Sequence, residues 1–152
     1  MKRLFIFSLL FVIANISFAQ IGGENTFAIL DFNPSVRTNA MGGELISIID
    51  NDVDITATNP ALLNSKMYKK ISFSFIDYFN DINAVAVNYA TESEKLGMLF
   101  FGVKALNYGQ FLLTDETGVE LGKFSANEQV LTIGISKQLN EEFIIGVNLN
   151  FI

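Results

Sequence analysis

"EEFIIGVNLNFI", residues 141–152, alternates strictly from Ile145: Ile145, Val147, Leu149 and Phe151 fall on one side, and Gly146, Asn148 and Asn150 on the other. A period of two with one oily and one wet face predicts a β-strand. The solvent that the oily face meets decides the fold.

Four stretches upstream repeat the pattern. "ISFSFIDYF" (71–79) sets Ile71, Phe73 and Phe75 against Ser72 and Ser74, and "INAVAVNYA" (82–90) sets Val85, Val87 and Tyr89 against Ala84, Ala86 and Asn88. "LGMLFFGVKAL" (96–106) is less regular, with Leu99, Phe101, Val103 and Ala105 opposite Met98, Phe100, Gly102 and Lys104. "QVLTIGISK" (129–137) sets Leu131, Ile133 and Ile135 against Thr132, Gly134 and Ser136. The connections alternate too: Asn80-Asp81 is a tight turn, "TESEK" (91–95) and "LNEE" (139–142) are short, and residues 107–128 form a long loop. Short turns on one side with a long loop on the other are the habit of outer-membrane barrels. Within the long loop, Glu116-Thr117-Gly118 lies between two further strand-like runs, so a hairpin rising above the membrane is the alternative reading.

A soluble β-sandwich also alternates. Its outward faces carry charge, whereas the faces opposite the large residues here carry Ser, Ala, Gly, Asn and Thr, which suits a crowded or wet lumen. Phe75, Tyr89 and Phe151 are read as aromatics near strand ends, where membrane interfaces favour them. The expected fold is therefore an all-β membrane protein, an antiparallel transmembrane barrel. Unpaired backbone groups in hydrocarbon cost several kcal/mol each, and the smallest single-chain barrels use about eight strands. Residues 71–152 thus read as the first five strands of an incomplete barrel, and the chain as a fragment, with one part of an oligomeric barrel as the alternative.

"MKRLFIFSLLFVIANISFAQ" opens the chain with Lys2 and Arg3, an apolar run from Leu4 to Ile13, and small residues at Ser17 and Ala19. This is the pattern of a secretory signal peptide, residues 1–19. The alternative, a membrane anchor, needs about 20 continuous apolar residues, and Asn15 and Ser17 interrupt the run. Removing it leaves eight basic against sixteen acidic residues, a formal charge of −8. So acidic a chain has no basic surface for nucleic acid. With no Cys, an exported protein of this size has no disulfide framework, and membrane closure would supply the missing stability.

Residues 20–70 read as a compact N-terminal plug of short helices and turns. "FNPSVRTNAMGG" has Asn33 placed as an N-cap, Pro34 at the first helical position and Gly42-Gly43 at the end, predicting about two turns of helix. In "ELISIIDNDVDITATNPALLNS", Thr58 or Asn59 precedes Pro60 as a second helix start.

Enzyme chemistry is sparse. Without His or Cys there is no Ser-His-Asp triad, no cysteine nucleophile and no zinc site of the usual kind, and neither cofactor nor metal is expected. Asp50, Asp52 and Asp54 have the spacing of an EF-hand's first ligands, but Ile55 and Ala61 stand where Gly and Glu are required, so the run reads as a solvated turn. "GVELGKF" (118–124) has the wrong glycine spacing for a phosphate loop and lacks Ser or Thr after Lys123. Lys104 would be costly facing lipid and is expected in the lumen or near an interface.

The ordered set "QIGGENTFAILDFNPSVRTNAMGG", "DNDVDITATNPALLN", "FNDINAVAVNYA" and "LNYGQFLLTDETGVELGKFSANEQVLTIGISKQL" resembles the N-terminal part of the PorQ family of the type IX secretion system of Bacteroidota, from Gln20 to the last residue. Ala40-Met41-Gly42-Gly43, the turn containing Asp52, and Asn59-Pro60-Ala61 look like the plug motif of the wider FadL-like superfamily, which also contains PorV. The resemblance implies an outer-membrane barrel of about fourteen strands when complete, surrounded by lipid. It implies membership of the cell-surface attachment complex, where PorQ-like proteins anchor PorZ as PorV anchors the sortase PorU, and it implies no catalytic residues. The expected function is a non-enzymatic scaffold, with FadL-like transport of hydrophobic small molecules as the alternative. The loop 107–128 is the candidate docking element, with Tyr108, Phe111 and Phe124 offering apolar contact unless the loop packs on its own barrel.

Overall fold

The computed structural model describes residues 27–140 and 142–152. The expected signal peptide, 1–19, lies outside the described residues. Five strands, β1 (Lys70–Asp77), β2 (Asn83–Ser93), β3 (Gly97–Thr114), β4 (Glu120–Gln138) and β5 (Ile144–Phe151), form one antiparallel sheet in sequence order. The fold is all-β. The sheet is open, since β1 and β5 each have a single neighbour in it.

The period-two pattern sorts the side chains as expected. On one face, Ile71, Tyr89, Phe101, Ile133 and Leu149 form a continuous row across all five strands, and Phe73, Val87, Val103, Leu131 and Phe151 form the next. Thr91, Leu99, Ile135 and Val147 make a flanking row on one side, and Phe75, Val85, Ala105 and Gln129 one on the other. These four rows span about 20 Å along the strands. Beyond them come Asp77, Asn83, Asn107 and Asn127 at one end, and Ser93, Gly97, Lys137 and the exposed Ile145 at the other. No described element covers this band, and Ile71 and Phe73 are 71% and 69% exposed. Tyr89 lies in a central row, which corrects its placement near a strand end, and Phe151, although the last residue of β5, also lies in a central row rather than at the edge of the band; only Phe75 is in a flanking row.

The opposite face carries Ser72, Asn88, Gly102, Thr132 and Asn150 in one row, and the N-terminal segment lies on it. That segment contains helices α1 (Ala28–Asp31) and α2 (Val36–Ala40) and three 3-10 turns, η1 (Val53–Ala57), η2 (Pro60–Leu62) and η3 (Ser65–Met67). Leu45, Val53, Ile55, Leu62, Leu63 and Met67 bury themselves against Ala90, Met98 and Phe100 of the sheet. A second cluster joins Ile29 to Ala84, Leu106 and Val130.

Phe100 is a large residue on the small face and is fully buried. Two glycines give it room: a Cβ on Gly102 would meet its ring at 3.0 Å, and one on Gly134 would meet its Cβ at 3.1 Å. Gly146 on β5 has a different neighbour: a Cβ there would collide with the backbone of Pro60 and Ala61. Gly102 and Gly134 thus make room for the sheet's own Phe100, Asn88 and Asn148, and Gly146 for the segment that packs there.

Local signals hold with shifts. Helix α2 is capped by Ser35, whose hydroxyl accepts from the Thr38 N–H at 3.3 Å. Asn33 instead accepts from the Ser35 N–H at 2.9 Å, an Asx turn that delivers the real cap. The helix is therefore five residues long, not two turns. It ends where expected, since Gly42 and Gly43 take φ of 104° and 90° and the Gly43 N–H returns to the Thr38 carbonyl at 2.9 Å. Of the two candidate caps before Pro60, Asn59 is the one used, accepting from the Ala61 N–H at 3.1 Å. Thr58 closes η1 by donating to the Ile55 carbonyl. Asn80 and Asp81, both at φ 61°, form the tight turn, across which the Ile82 N–H reaches the Phe79 carbonyl at 3.4 Å and the Tyr78 N–H the Ile82 carbonyl at 2.8 Å.

The largest departure concerns residues 107–128. They extend β3 and β4 into a hairpin closed by a turn at 115–119, so the hairpin alternative holds and the structureless loop does not.

Candidate functional site

Among the described residues, three regions carry the molecule's polar chemistry. The first lies between the N-terminal segment and the sheet. Asp54, on η1, accepts at Oδ1 from the hydroxyl of Ser72 and from Asn88 Nδ2 at 2.8 Å, and at Oδ2 from the hydroxyl of Ser74 at 3.0 Å. One carboxylate thereby ties the segment to β1 and β2. Asn148 of β5 donates to the Thr56 and Ala57 carbonyls at 3.0 and 3.2 Å, tying the same turn to the far side of the sheet. The solvated-turn reading of the acidic run is therefore wrong for Asp54.

It is closer for the other two acids. Arg37 of α2 donates to Asp50 and, at 2.8 Å, to Asp52. The guanidinium holds the Asp50 carboxyl below its ordinary value, and the two acids raise that of Arg37. Asp50 and Asp52 also accept from the backbone N–H groups of Asp52 and Asp54, closing successive Asx turns. Their oxygens serve the fold, and no group of acidic residues among the described residues is arranged to hold a metal.

The plug-motif residues separate into two roles. Ala40, Met41, Gly42 and Gly43 terminate α2, and Met41 is exposed. Asp52 caps η1 and pairs with Arg37, while Asn59, Pro60 and Ala61 build η2 against Gly146. Asn59 also donates to the Leu45 carbonyl at 3.2 Å, stitching two parts of the segment together. All of these are positioning roles.

The second region is a cavity of about 40 Å³ under the small face, lined by Asn33, Asp54, Asn88, Lys104, Thr132 and Asn150 among others. It has room for roughly three or four waters, on the order of one per 10–15 Å³. Lys104 lies here, away from the apolar band, and its ammonium donates to the Phe32 carbonyl at 2.6 Å. Asn33 Nδ2, fixed in direction by the Asx turn, is buried without a protein partner.

The third region is the hairpin that β3 and β4 form beyond the sheet. Phe111 and Phe124 are cross-strand partners stacked at 5.2 Å between ring centroids, and both keep an exposed edge. Leu112, Leu113, Val119 and Leu121 are exposed alongside them. Tyr108 does not belong to this surface: it packs against the Ile29 cluster and its hydroxyl donates to Glu128 at 3.0 Å. At the tip, Asp115 accepts from the Thr117 hydroxyl and from the Thr117 and Val119 N–H groups, which keeps its carboxyl below the ordinary value.

No family model, curated protein or solved structure matches this chain. The arrangement of its own residues is what bears on function. No helix among the described residues is long and apolar enough to cross a membrane, which leaves open a crossing made by strands.

Asp54, Asn148 and Gly146 are the residues that sequence reasoning missed as a set. A faint signal existed, because Ser72, Ser74, Asn88 and Asn148 are polar residues at inward positions of successive strands. Buried polar side chains demand a partner, and Asp54 and the η1 carbonyls supply it.

Proposed function

We propose that this chain is the N-terminal part of a non-enzymatic outer-membrane β-barrel of the PorQ family, whose assembled form holds a PorZ-like partner in the type IX secretion attachment complex. The observation that carries the membrane reading is the inverted polarity of the sheet. Its large apolar residues line up in exposed rows about 20 Å deep, and its small polar face is the one that the N-terminal segment packs against. In water this arrangement would expose a broad apolar surface, whereas in a bilayer it matches an outward band about 25 Å tall over a polar interior. The N-terminal segment would then be the plug.

Anchoring rather than chemistry follows from what the faces offer. The polar residues under the sheet are committed to holding the segment, and the hairpin beyond the apolar band is the element free to meet a folded protein. Deleting Thr114–Lys123 from the full-length protein is expected to release the PorZ-like partner, with PorU and PorV as its neighbours in the complex, from purified outer membranes while the barrel stays intact. Full retention removes the hairpin from the reading. Restored growth on long-chain fatty acids by the full-length protein in a transport-deficient strain would overturn the scaffold in favour of transport.

A further inference from the structure

The geometry points to the free edge of β3 at Gln110–Thr114 as a strand-addition site, taking an extended, alternately apolar segment of a partner protein with Lys or Arg near the hairpin tip. The inference rests on the anchoring role proposed above and specifies how the partner is held. The ladder between β2 and β3 ends at Asn83 and Asn107. Just beyond, the Asn80-Asp81 turn abuts β3 at Gly109, where a Cβ would meet the Asn80 carbonyl at 2.9 Å. This turn caps β2, so β2 cannot continue along β3. From Gln110 to Thr114, β3 pairs with β4 on one side, and among the described residues nothing pairs with the other. The backbone groups on that side form a template for an incoming strand.

The side chains there are unusual for a solvent-facing ribbon. Phe111 and Leu113 project to one face and Leu112 to the other, and all three are exposed. A two-stranded ribbon is marginal by itself, and a third strand would place alternate apolar residues beside these positions. The charge at the tip is net negative: Asp115, Glu116 and Glu120 sit at or next to it, against one base, Lys123, which pairs across from Leu112. A basic residue at the tip end of the incoming segment answers that charge and fixes its direction. Gln110–Thr114 contains neither proline nor lysine, two of the usual defences of an edge, and the ladder to β4 runs in register from Gln110 to Leu113, between shifts at Asn107/Gln110 and Leu113/Thr114.

The test places p-benzoylphenylalanine at Leu112, Leu113 or, on the opposite arm, Leu121 of the full-length protein in its native outer membrane, followed by irradiation and mass spectrometry of the adducts. We expect adducts at 112 and 113 at least fivefold above those at 121, mapping to one contiguous stretch of another protein that contains Lys or Arg. The double reversal E116K/E120K should lower their yield about tenfold. Adducts within this same chain, preference for 121, or yields indifferent to the reversal would overturn the proposal. If the PorZ-like protein still co-purifies while edge adducts are absent, strand addition fails and anchoring stands. If no protein co-purifies, both fail.

Discussion

Asp54 shows how a single residue can fix the relation between two parts of this molecule. Its two oxygens take three donors from β1 and β2, and none of those donors lies within 17 residues of it in sequence. Asp54→Ala would leave the hydroxyls of Ser72 and Ser74 and the amide of Asn88 without their acceptor in a half-buried layer. The expected loss is about 1–3 kcal/mol, read from denaturant unfolding of the full-length protein in detergent. Asp54→Asn should cost less than half as much, because the retained oxygen still accepts and the Ser74 hydroxyl can rotate to receive the new N–H. Equal losses for the two variants would mean that charge, not hydrogen bonding, holds the turn. Asp50 offers a different test. Its carboxyl is lowered by Arg37 below the ordinary 3.8, so the stability it contributes is present above that pH and is lost as pH falls through its folded value. Arg37→Gln should therefore weaken the protein slightly at neutral pH, and the gap from the unaltered protein should close below pH 3.8. Both residues were legible in the sequence only as members of an acidic run. Local spacing identified the Asx turns, but a partner 18 to 34 residues away leaves no mark on spacing.

At the scale of the element, the strands were the most legible part. Alternation alone located β1, β2 and β5 to within a few residues, because each has one uniformly large face against small or polar neighbours. The same alternation makes a directional prediction. Arginine at Ile133, in the central row, should destabilise a lipid-embedded barrel by roughly 2–4 kcal/mol, and arginine at Val147 should do likewise if that row is near the midplane. The measurement is reversible unfolding into detergent or lipid, and indifference to arginine at both sites would defeat the membrane reading. Where the pattern blurs, the sequence reading failed. Past Asn107 the two faces mix Leu, Phe, Thr and Lys around Gly109, Gly118 and Gly122, so the hairpin lacks a clean period. Its order comes from pairing, including Phe111 against Phe124, which should show a coupling of about 0.5–1.5 kcal/mol in a double-mutant cycle. The helix start moved by two residues for a related reason: Asn33 and Ser35 are both good caps, and only the Asx turn between them decides which is used. Gly146 could be read as a small inward residue but not as a contact point, since Pro60 and Ala61 reach it from 85 residues away in the chain.

For the whole molecule, the informative relation is between the N-terminal segment and the sheet. The segment has no regular element longer than five residues, and isolated helices so short are not stable in water. It holds its shape by burying Leu45, Val53, Ile55, Leu62, Leu63 and Met67 on the small face, and by the polar ties at Asp54 and Asn148. Order in residues 27–69 should therefore depend on the sheet beneath them. Limited proteolysis of the full-length protein gives a direct check. With the sheet folded, bonds between Leu45 and Met67 should resist a nonspecific protease, and their cleavage should begin only as the sheet unfolds. Gly146→Val should separate the two events: its side chain collides with Pro60 and Ala61 while leaving the apolar face of β5 unchanged, at a cost of about 1–3 kcal/mol. Cleavage near Pro60 should then become fast under conditions in which the sheet still resists unfolding by heat and detergent. Rapid cutting of the unaltered protein throughout 45–67, before any loss of the sheet, would mean that the segment is a free tail and that the small residues of the inner face have some other occupant.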